Sequence, residues 1–340
     1  MSGIMRALQI SDITPASEAR LCNIAIRQAK PGWALVRVRG FGMNHSEWEL
    51  RHDEIREEYI AKPIVPGIEG VGEVVDASDI GLRVGQKVCM LMGDMGRSWN
   101  GSYAQYCLVR TDHLFAIPNT AADLPWATLA AIPETFFTAW GSLFECLDLQ
   151  KDDTLLIRGA SCGLGYAAIQ IAHAVGARVL ATTHRSMYVD LLTSFGADEV
   201  LMDVGALADK GVRASKVLEL VGPRTLRDSL QCLERGGICC DTGILGGTFT
   251  LDGFPTRTGC SATSRRQTRS IMAASIATTS LTSSWRRHAP SRRGRPGRPV
   301  PSSRRHRFAP GLRHDSAVIP ALQLRRQALR AGPQGGQHEL

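Results

Sequence analysis

The 340-residue sequence lacks any run of 18 or more apolar residues, so no membrane-spanning helix and no membrane partner are expected. Its first residues lack the basic-then-apolar layout of a secretory signal peptide, which favours a cytoplasmic protein. None of the nine cysteines belongs to a C-x-x-C pair, which disfavours both a disulfide framework and a clustered zinc lobe. Most of the cysteines are therefore expected to be buried as small apolar side chains.

Lysine is absent from residues 255–340, and acidic residues are almost absent there as well. This segment holds 17 arginines against Asp315 and Glu339, whereas residues 1–254 carry 23 basic and 30 acidic residues. The overall charge of +8 therefore averages two unlike pieces and does not describe one nucleic-acid-binding surface. The segment also shows no sustained helical or strand period, and its charge is too dense to bury, so it is predicted to be disordered.

Two explanations of residues 255–340 remain open. A frameshift near residue 254 is the leading hypothesis, because a G+C-rich gene translated out of frame yields arginine, serine, proline, glycine and alanine without lysine. The rival hypothesis is a genuine arginine-rich tail that binds nucleic acid non-specifically through phosphate contacts. Comparison of the three reading frames of the coding DNA would separate the two.

Short alternating or apolar runs separated by Gly and Pro fill the chain up to about residue 120. They include the runs that begin at Trp33, Gly70, Lys87 and Tyr103. Such runs predict strands, so residues 1–125 are expected to form a β-rich domain. From Asp123 to Leu147 the pattern is helical. From Thr154 strands and helices alternate, which predicts a parallel α/β sheet within residues 126–254.

A glycine-rich turn follows the buried strand that begins at Thr154, and this turn opens a helix. Small side chains there let the backbone approach a pyrophosphate, while free N–H groups and the helix dipole attract the anion. The turn is a degenerate form of G-x-G-x-x-G, so it predicts a dinucleotide site, with a βαβ turn that binds nothing as the alternative. The residues predicted to bind are Gly159, Ser161, Cys162, Gly163, Leu164 and Gly165.

The end of the next strand predicts which dinucleotide binds. About 20 residues after the glycine turn, a site for NAD usually places an Asp or Glu on the ribose 2′-hydroxyl. This sequence has Thr183, His184, Arg185 and Ser186 there instead. Arg185 offers positive charge to a 2′-phosphate, which a carboxylate would repel, so NADPH is predicted over NADH. The alternative is that Arg185 is a solvated loop charge.

Several further segments follow one another in a fixed order along residues 5–254. They begin at Gly42, Pro66, Gly101, Ala131, Gly196, Leu220 and Gly236. Together with the glycine turn they resemble the medium-chain dehydrogenase/reductase superfamily, in particular its zinc-independent, quinone oxidoreductase-like branch. The resemblance implies an α/β fold with a GroES-like substrate domain over residues 1–125. It further implies an incomplete Rossmann domain over residues 126–254, with the active site between the two domains.

The resemblance also implies that the protein needs no metal. Zinc-dependent members carry a cysteine and a histidine where this sequence has Asn44 and Ile68, and their four-cysteine lobe is missing between Cys89 and Cys107. Isoleucine cannot ligate zinc and an asparagine amide is a poor ligand, so the three protein ligands of a catalytic zinc are not present. Glu69 is interpreted as a structural carboxylate.

Members without zinc typically reduce quinones and enones, so the resemblance implies hydride transfer from NADPH to a small-molecule substrate of that kind. It places Asn44 and Thr138 beside the nicotinamide. The alternative for Asn44 is a turn residue whose amide binds backbone groups. The alternative for Thr138 is a helix residue whose hydroxyl binds the preceding helical turn. Tyr103 is a candidate proton donor, and its alternative is a tyrosine packed in the β domain. The residues implied to follow the nicotinamide ribose are Gly243, Ile244 and Leu245.

Further expectations concern the core, the oligomeric state, the activity and the alternative functions. Met43, Phe136 and Phe137 are expected in the core rather than in a substrate pocket. A homodimer is expected only if the last Rossmann strands are present. If they are missing, exposed sheet edges and apolar surface would weaken or abolish activity. The alternative functions are an enoyl-thioester reductase of the same fold and a non-catalytic protein that binds nucleic acid through its tail.

Overall fold

The computed structural model describes residues 3–77 and 81–246. The predicted junction near residue 254 and the arginine-rich segment 255–340 lie outside the described residues. The described part forms an antiparallel β domain followed by a parallel α/β domain, which confirms the predicted fold class. No helix in this part is long and apolar enough to cross a membrane.

The β domain contains seven strands within the described residues. These are β1 (Ile4–Leu8), β2 (Leu21–Ala25), β3 (Trp33–Gly40), β4 (Glu69–Ala77), β5 (Lys87–Leu91), β6 (Tyr106–Arg110) and β7 (Leu114–Ala116). β1 and β2 form an antiparallel pair, while the other five form an antiparallel sheet in the order β6-β3-β4-β5-β7. Successive side chains along each strand point to opposite faces of the sheet, and Val36, Val88 and Val109 are fully buried in one core cluster. Helix α1 (His45–His52) follows β3.

Two short helices and a π-helical turn connect the domains. They are α2 (Trp126–Ala130), α3 (Pro133–Trp140) and the turn Gly141–Cys146. Pro133 suits the first position of α3, because its ring presets the helical φ angle and its missing N–H would have no helical partner there. π-helical turns are rare and often occur at functional sites, so this turn is of interest.

The α/β domain has five described parallel strands and three helices. These are β8 (Thr154–Arg158), α4 (Gly163–Val175), β9 (Arg178–Thr183), α5 (Val189–Ser194), β10 (Glu199–Met202), β11 (Ala214–Glu219), α6 (Pro223–Gln231) and β12 (Leu233–Asp241). The strand order is β10-β9-β8-β11-β12, so the order reverses between β8 and β11. Ligands of such sheets bind in the crevice at the carboxyl ends of the strands beside this reversal.

The glycine turn between β8 and α4 is closely packed. Gly159 has a φ of +75°, which side-chain-bearing residues rarely adopt, and a Cβ at Gly165 would overlap the backbone of Ala160. Cys162 caps α4 by accepting a hydrogen bond from the Gly165 N–H. On the sheet-facing side of α4, Ala168 and Ile169 are fully buried.

Candidate functional site

An open cleft of about 1400 Å³ lies between the two domains. The β domain contributes residues 41–45 and Glu69, α3 contributes Glu134 and Thr138, and the α/β domain contributes residues 162–164 of the glycine turn. The cleft therefore lies at the carboxyl end of β8, beside the point where the strand order reverses. This is the location expected for a dinucleotide in a doubly wound fold.

The structure brings together many of the site residues named from the sequence. The predicted residues that line the cleft are Asn44, Thr138, Cys162, Gly163, Leu164, Gly243, Ile244 and Leu245. Gly159, Ser161 and Gly165 belong to the same turn but are not among the lining residues.

Tyr103 is also absent from the cleft lining. Its ring stacks on Phe41 at a centroid distance of 4.5 Å, its residue is 8 % exposed, and its hydroxyl has no partner among the described residues. Burial raises the pKa of this phenol above its ordinary value. The packing agrees with a tyrosine held inside the β domain, and a role as proton donor stays a prediction.

Of the residues predicted to select the dinucleotide, Thr183 ends β9 and the other three follow it at the protein surface. His184, Arg185 and Ser186 are exposed, whereas Thr183 is buried and its hydroxyl oxygen accepts the Arg185 backbone N–H at 3.2 Å. Asp203 follows β10, the strand next to β9, but it is not free to act as a negative charge. Its carboxylate accepts hydrogen bonds from Arg158 at 2.5 and 2.9 Å.

A chain of hydrogen bonds that sequence reasoning did not find joins the β domain to α3 beside the cleft. The Asn44 side-chain amide donates to Glu69 Oε1 at 2.9 Å, and the Glu134 backbone N–H donates to Glu69 Oε2, also at 2.9 Å. The Thr138 hydroxyl donates to Glu134 Oε1 at 2.7 Å. Glu69 thus caps the start of α3 as well as holding Asn44, which extends the structural role predicted for it.

Burial governs the acidity of these carboxyl groups. It raises the pKa of Glu69 to about 7, although the hydrogen bonds from Glu134 N–H and Asn44 act in the opposite direction. Burial also raises the pKa of Glu134 and of Glu47, which binds the Ile68 and Asn44 amides. A set of carboxyl groups beside the cleft therefore retains protons at a higher pH than ordinary glutamates do.

The side chains at the positions of the family's zinc ligands do not fit a metal. Ile68 lines the cleft with an apolar side chain, and Asn44 turns its amide toward Glu69 as a hydrogen-bond donor. Among the residues that the structure describes, no three His, Cys, Asp or Glu side chains are grouped so that they could hold an ion. No chemical step is therefore assigned to zinc here.

A buried ion cluster beneath the glycine turn is a second feature that the sequence analysis missed. Arg158, the last residue of β8, is fully buried and forms ion pairs with Asp203 at 2.5 Å and Asp228 at 2.7 Å. Burial alone would raise the pKa of Asp203, but the hydrogen bonds and charge of Arg158 hold it below its ordinary value. An arginine at the end of the apolar run Leu155–Ile157 was the available signal.

The expectation that Met43 belongs to the core is wrong. Met43 is 82 % exposed and lines the cleft, whereas Phe137 is buried as expected but also contributes to the cleft lining. The reason lies in the preceding residue, since Gly42 passes so close to Glu69 that a Cβ would overlap its carboxylate. The loop therefore lies against Glu69, and the next side chain points toward solvent.

Comparison with known families decides the identity of the fold. Residues 30–119 match the model of the alcohol dehydrogenase GroES-like domain, and residues 163–283 match that of the zinc-binding dehydrogenases. The two matches together span more than half of the chain. The chain belongs to the medium-chain dehydrogenase/reductase superfamily. The second match extends past Phe254, where the sequence predicts that the family-like part ends.

Relatives agree with this assignment. The chain is 28 % identical over 262 residues to the quinone oxidoreductase of Mus musculus, covering 72 % of this chain and 74 % of that protein. A solved alcohol dehydrogenase superfamily protein from Novosphingobium aromaticivorans is 29 % identical with a TM-score of 0.62, covering 73 % and 75 % of the two chains. The crystal structure of AibC is 25 % identical with a TM-score of 0.67, covering 73 % and 76 %. Membership of the superfamily supports an oxidoreductase that uses a nicotinamide cofactor.

Proposed function

We propose that the protein reduces quinones or α,β-unsaturated carbonyls with NADPH and without a catalytic metal. The observation that carries the proposal is the composition of the cleft. Asn44 and Ile68 occupy the positions of zinc ligands, and they lie in the same cleft as the glycine turn at the start of α4. The similarity to quinone oxidoreductases supports the same substrate class.

The glycine turn fits a dinucleotide. A Cβ at Gly163 would meet only Thr135 Cγ2 at 3.8 Å, so the first turn of α4 faces open space in the cleft. The start of a helix also leaves backbone amides without helical partners, and these amides suit a pyrophosphate. A reduced nicotinamide bound there would supply a hydride to the substrate.

The exposed groups after β9 support NADPH as the bound form. Arg185 is exposed at the carboxyl end of β9, where it can meet a 2′-phosphate. The nearby Asp203 carboxylate is paired with Arg158, so its negative charge is compensated inside the domain. The site therefore presents a cation without a competing free carboxylate from Asp203.

Glu134 and Thr138 offer a way to stabilise negative charge on the substrate. Burial raises the pKa of Glu134, so this carboxyl holds a proton at higher pH than an ordinary glutamate. When protonated, Glu134 can donate to the Thr138 oxygen, since the two groups already lie 2.7 Å apart. The threonine hydrogen is then free to bind the substrate's carbonyl oxygen, where charge develops.

A turnover panel tests the proposal. The oxidation of NADPH and of NADH is measured with quinones, enones and enoyl thioesters, with and without a chelator. We expect weak turnover of quinones or enones by this chain, stronger turnover after frame restoration, preference for NADPH and no effect of the chelator. Zinc-stimulated alcohol oxidation would contradict the proposal, and turnover confined to enoyl thioesters would establish the alternative reductase activity.

A further inference from the structure

A second cavity, of about 300 Å³, lies in the β domain. All of its lining residues fall between Met5 and Leu108, so the α/β domain does not contribute to it. Among the described residues, Ser98 alone lines both this second cavity and the cleft between the domains. Ligand pockets hold about 300–1,000 Å³, so the second cavity is large enough for a small molecule. It is distinct from the site of the proposed reaction.

The floor of the second cavity is apolar. Leu35 in β3 and Leu108 in β6 are direct partners in the antiparallel register, so their side chains point to the same face of the sheet. Met5 in β1 also lines the cavity. Leu35 is 2 % exposed and Met5 is 5 % exposed, so these side chains form the inner end of the cavity.

Aromatic side chains form the walls of the second cavity. These are Trp33 at the start of β3, Trp99 in the connection before β6, and Tyr106 at the start of β6. The rings of Trp33 and Trp99 meet edge to face, with 5.3 Å between their centroids and 81° between their planes. This contact holds the two rings against each other. A flat apolar ligand matches such walls, because aromatic rings pack well against one another.

The outer end of the second cavity is basic. Arg27 and Lys30 line it from the connection between β2 and β3, and both residues are exposed. The Lys30 Nζ lies 4.6 Å from the centroid of the Trp33 ring, so one of the charges is held directly beside an aromatic wall. No Asp or Glu lines the cavity, and within the described residues neither cation forms an ion pair. This uncompensated charge attracts an anion.

We propose that the second cavity binds a flat aromatic anion of the aryl carboxylate class. The aromatic ring of the ligand packs between the Trp33, Trp99 and Tyr106 walls above the apolar floor. Its carboxylate lies at the outer end, where Arg27 and Lys30 donate charge-assisted hydrogen bonds. An aliphatic acid would use only the two cations, and a neutral arene would use only the rings. Both should therefore bind more weakly than an aromatic acid.

Titration calorimetry of the full chain tests this ligand class. The probes are naphthoate, its neutral amide naphthamide, and the non-aromatic acid cyclohexanecarboxylate. Naphthoate is expected to bind roughly tenfold or more tightly than either of the others, because it alone combines ring packing with charge-assisted hydrogen bonds. Equal affinity for naphthoate and naphthamide, or for the two acids, would overturn the proposal, as would the absence of naphthoate binding.

Substitutions at the outer end separate the contribution of charge from that of the rings. Arg27→Gln and Lys30→Gln are each expected to weaken naphthoate binding roughly tenfold and to leave naphthamide binding unchanged. Arg83→Gln and Lys151→Gln are the matched controls, since both residues are exposed and neither lines the cavity. Equal losses in the four variants would indicate general charge attraction and contradict the proposal. Circular dichroism verifies that each variant is folded.

Fluorine NMR locates the bound probe. The six tryptophans are labelled as fluorotryptophan, and each signal is assigned by replacing one tryptophan at a time with phenylalanine. Naphthoate is expected to shift the signals of Trp33 and Trp99 and to leave that of Trp48, in α1, unchanged. Shifts of the Trp48 or Trp140 signal without shifts of Trp33 and Trp99 would place the probe elsewhere and overturn the proposal.

Discussion

Glu69 is a buried carboxyl that has both a structural role and a shifted pKa. It binds the Asn44 amide and the first turn of α3, and its residue is only 1 % exposed. Two donors stabilise its ionised form, yet burial outweighs them and raises its pKa to about 7. The same carboxyl therefore links the domains and titrates near neutral pH.

Glu69→Gln is expected to flatten the pH dependence of stability. The pKa of Glu69 is about 7 in the folded state and 4.5 as the reference value, so the folded state binds more protons between these values. The unfolding free energy therefore falls as pH rises through this window, by up to about 3 kcal/mol from this group. Urea unfolding at about pH 5 and about pH 8 measures the slope.

Glu73→Gln is the control for this change. Glu73 lies in the same strand, but its side chain is 28 % exposed and forms an ion pair with Arg39. Its substitution should leave the pH slope close to that of the unsubstituted protein. A slope that Glu69→Gln leaves unaltered would show that another carboxyl, such as Glu134 or Asp241, dominates the titration.

Arg185→Ala is expected to weaken NADPH binding roughly tenfold or more and to leave NADH binding unchanged, because a charge-assisted hydrogen bond contributes about 1.5–3 kcal/mol. Arg178→Ala is the matched control, since Arg178 is an exposed arginine at the opposite end of β9. Fluorescence titration with both dinucleotides measures the affinities. Equal losses in the two variants would indicate a general charge effect.

At the scale of elements, the connection from β8 to α4 is set by backbone contact. Gly165 packs against the backbone of Ala160, whereas Gly163 faces the cleft. These two glycines lie two residues apart in one helix turn, yet the structure gives them different roles. One allows the helix to approach the strand, and the other leaves space for a ligand.

Gly165→Ala and Gly163→Ala are expected to separate stability from binding. The first change forces a Cβ into the Ala160 backbone and should destabilise the fold by about 1–3 kcal/mol. The second should leave stability near its original value, since its Cβ meets only Thr135 at 3.8 Å, but it should weaken dinucleotide binding. Thermal unfolding and dinucleotide titration of both variants measure this. Equal destabilisation would contradict the assignment.

The Arg158 cluster joins three elements by charge. Its partner Asp203 follows β10 and its partner Asp228 lies in α6, so the Arg158 side chain holds both of these elements against β8. Arg158→Met should cost about 3–5 kcal/mol, because it leaves two carboxylates without their buried partner. Arg39→Met removes a more exposed ion pair and should cost under about 1 kcal/mol. Chemical unfolding compares the two variants, and similar costs would refute the distinction.

At the scale of the whole molecule, the two hypotheses for residues 255–340 predict different behaviour. The frameshift hypothesis predicts that replacing this segment by the family-like sequence of another reading frame raises turnover and stability. The rival tail hypothesis predicts salt-dependent DNA binding that is lost on truncation after Phe254. Turnover assays of the frame-restored chain and DNA binding at two salt concentrations test them in parallel. Unchanged turnover on frame restoration would count against the frameshift.

The sequence determined the features that repeat over short distances. The alternating runs specify strands, the glycine turn specifies the crossing from β8 to α4, and the strand–helix alternation specifies a parallel sheet. These signals are local, because side-chain period and turn chemistry depend on neighbouring residues. The positions of Asn44, Thr138 and the glycine turn in one cleft also followed from the resemblance to a known family.

Only the tertiary structure decided which distant groups share a site. Asn44 and Glu69 lie 25 residues apart in the sequence, and Glu69 and Glu134 lie 65 residues apart, so no periodicity relates them. Their acidity is likewise a consequence of burial, which depends on the packing of the whole fold and not on residue type. The hydrogen bonds and the acidity of the groups beside this cleft therefore depend on tertiary packing, which buries side chains that are far apart in the sequence.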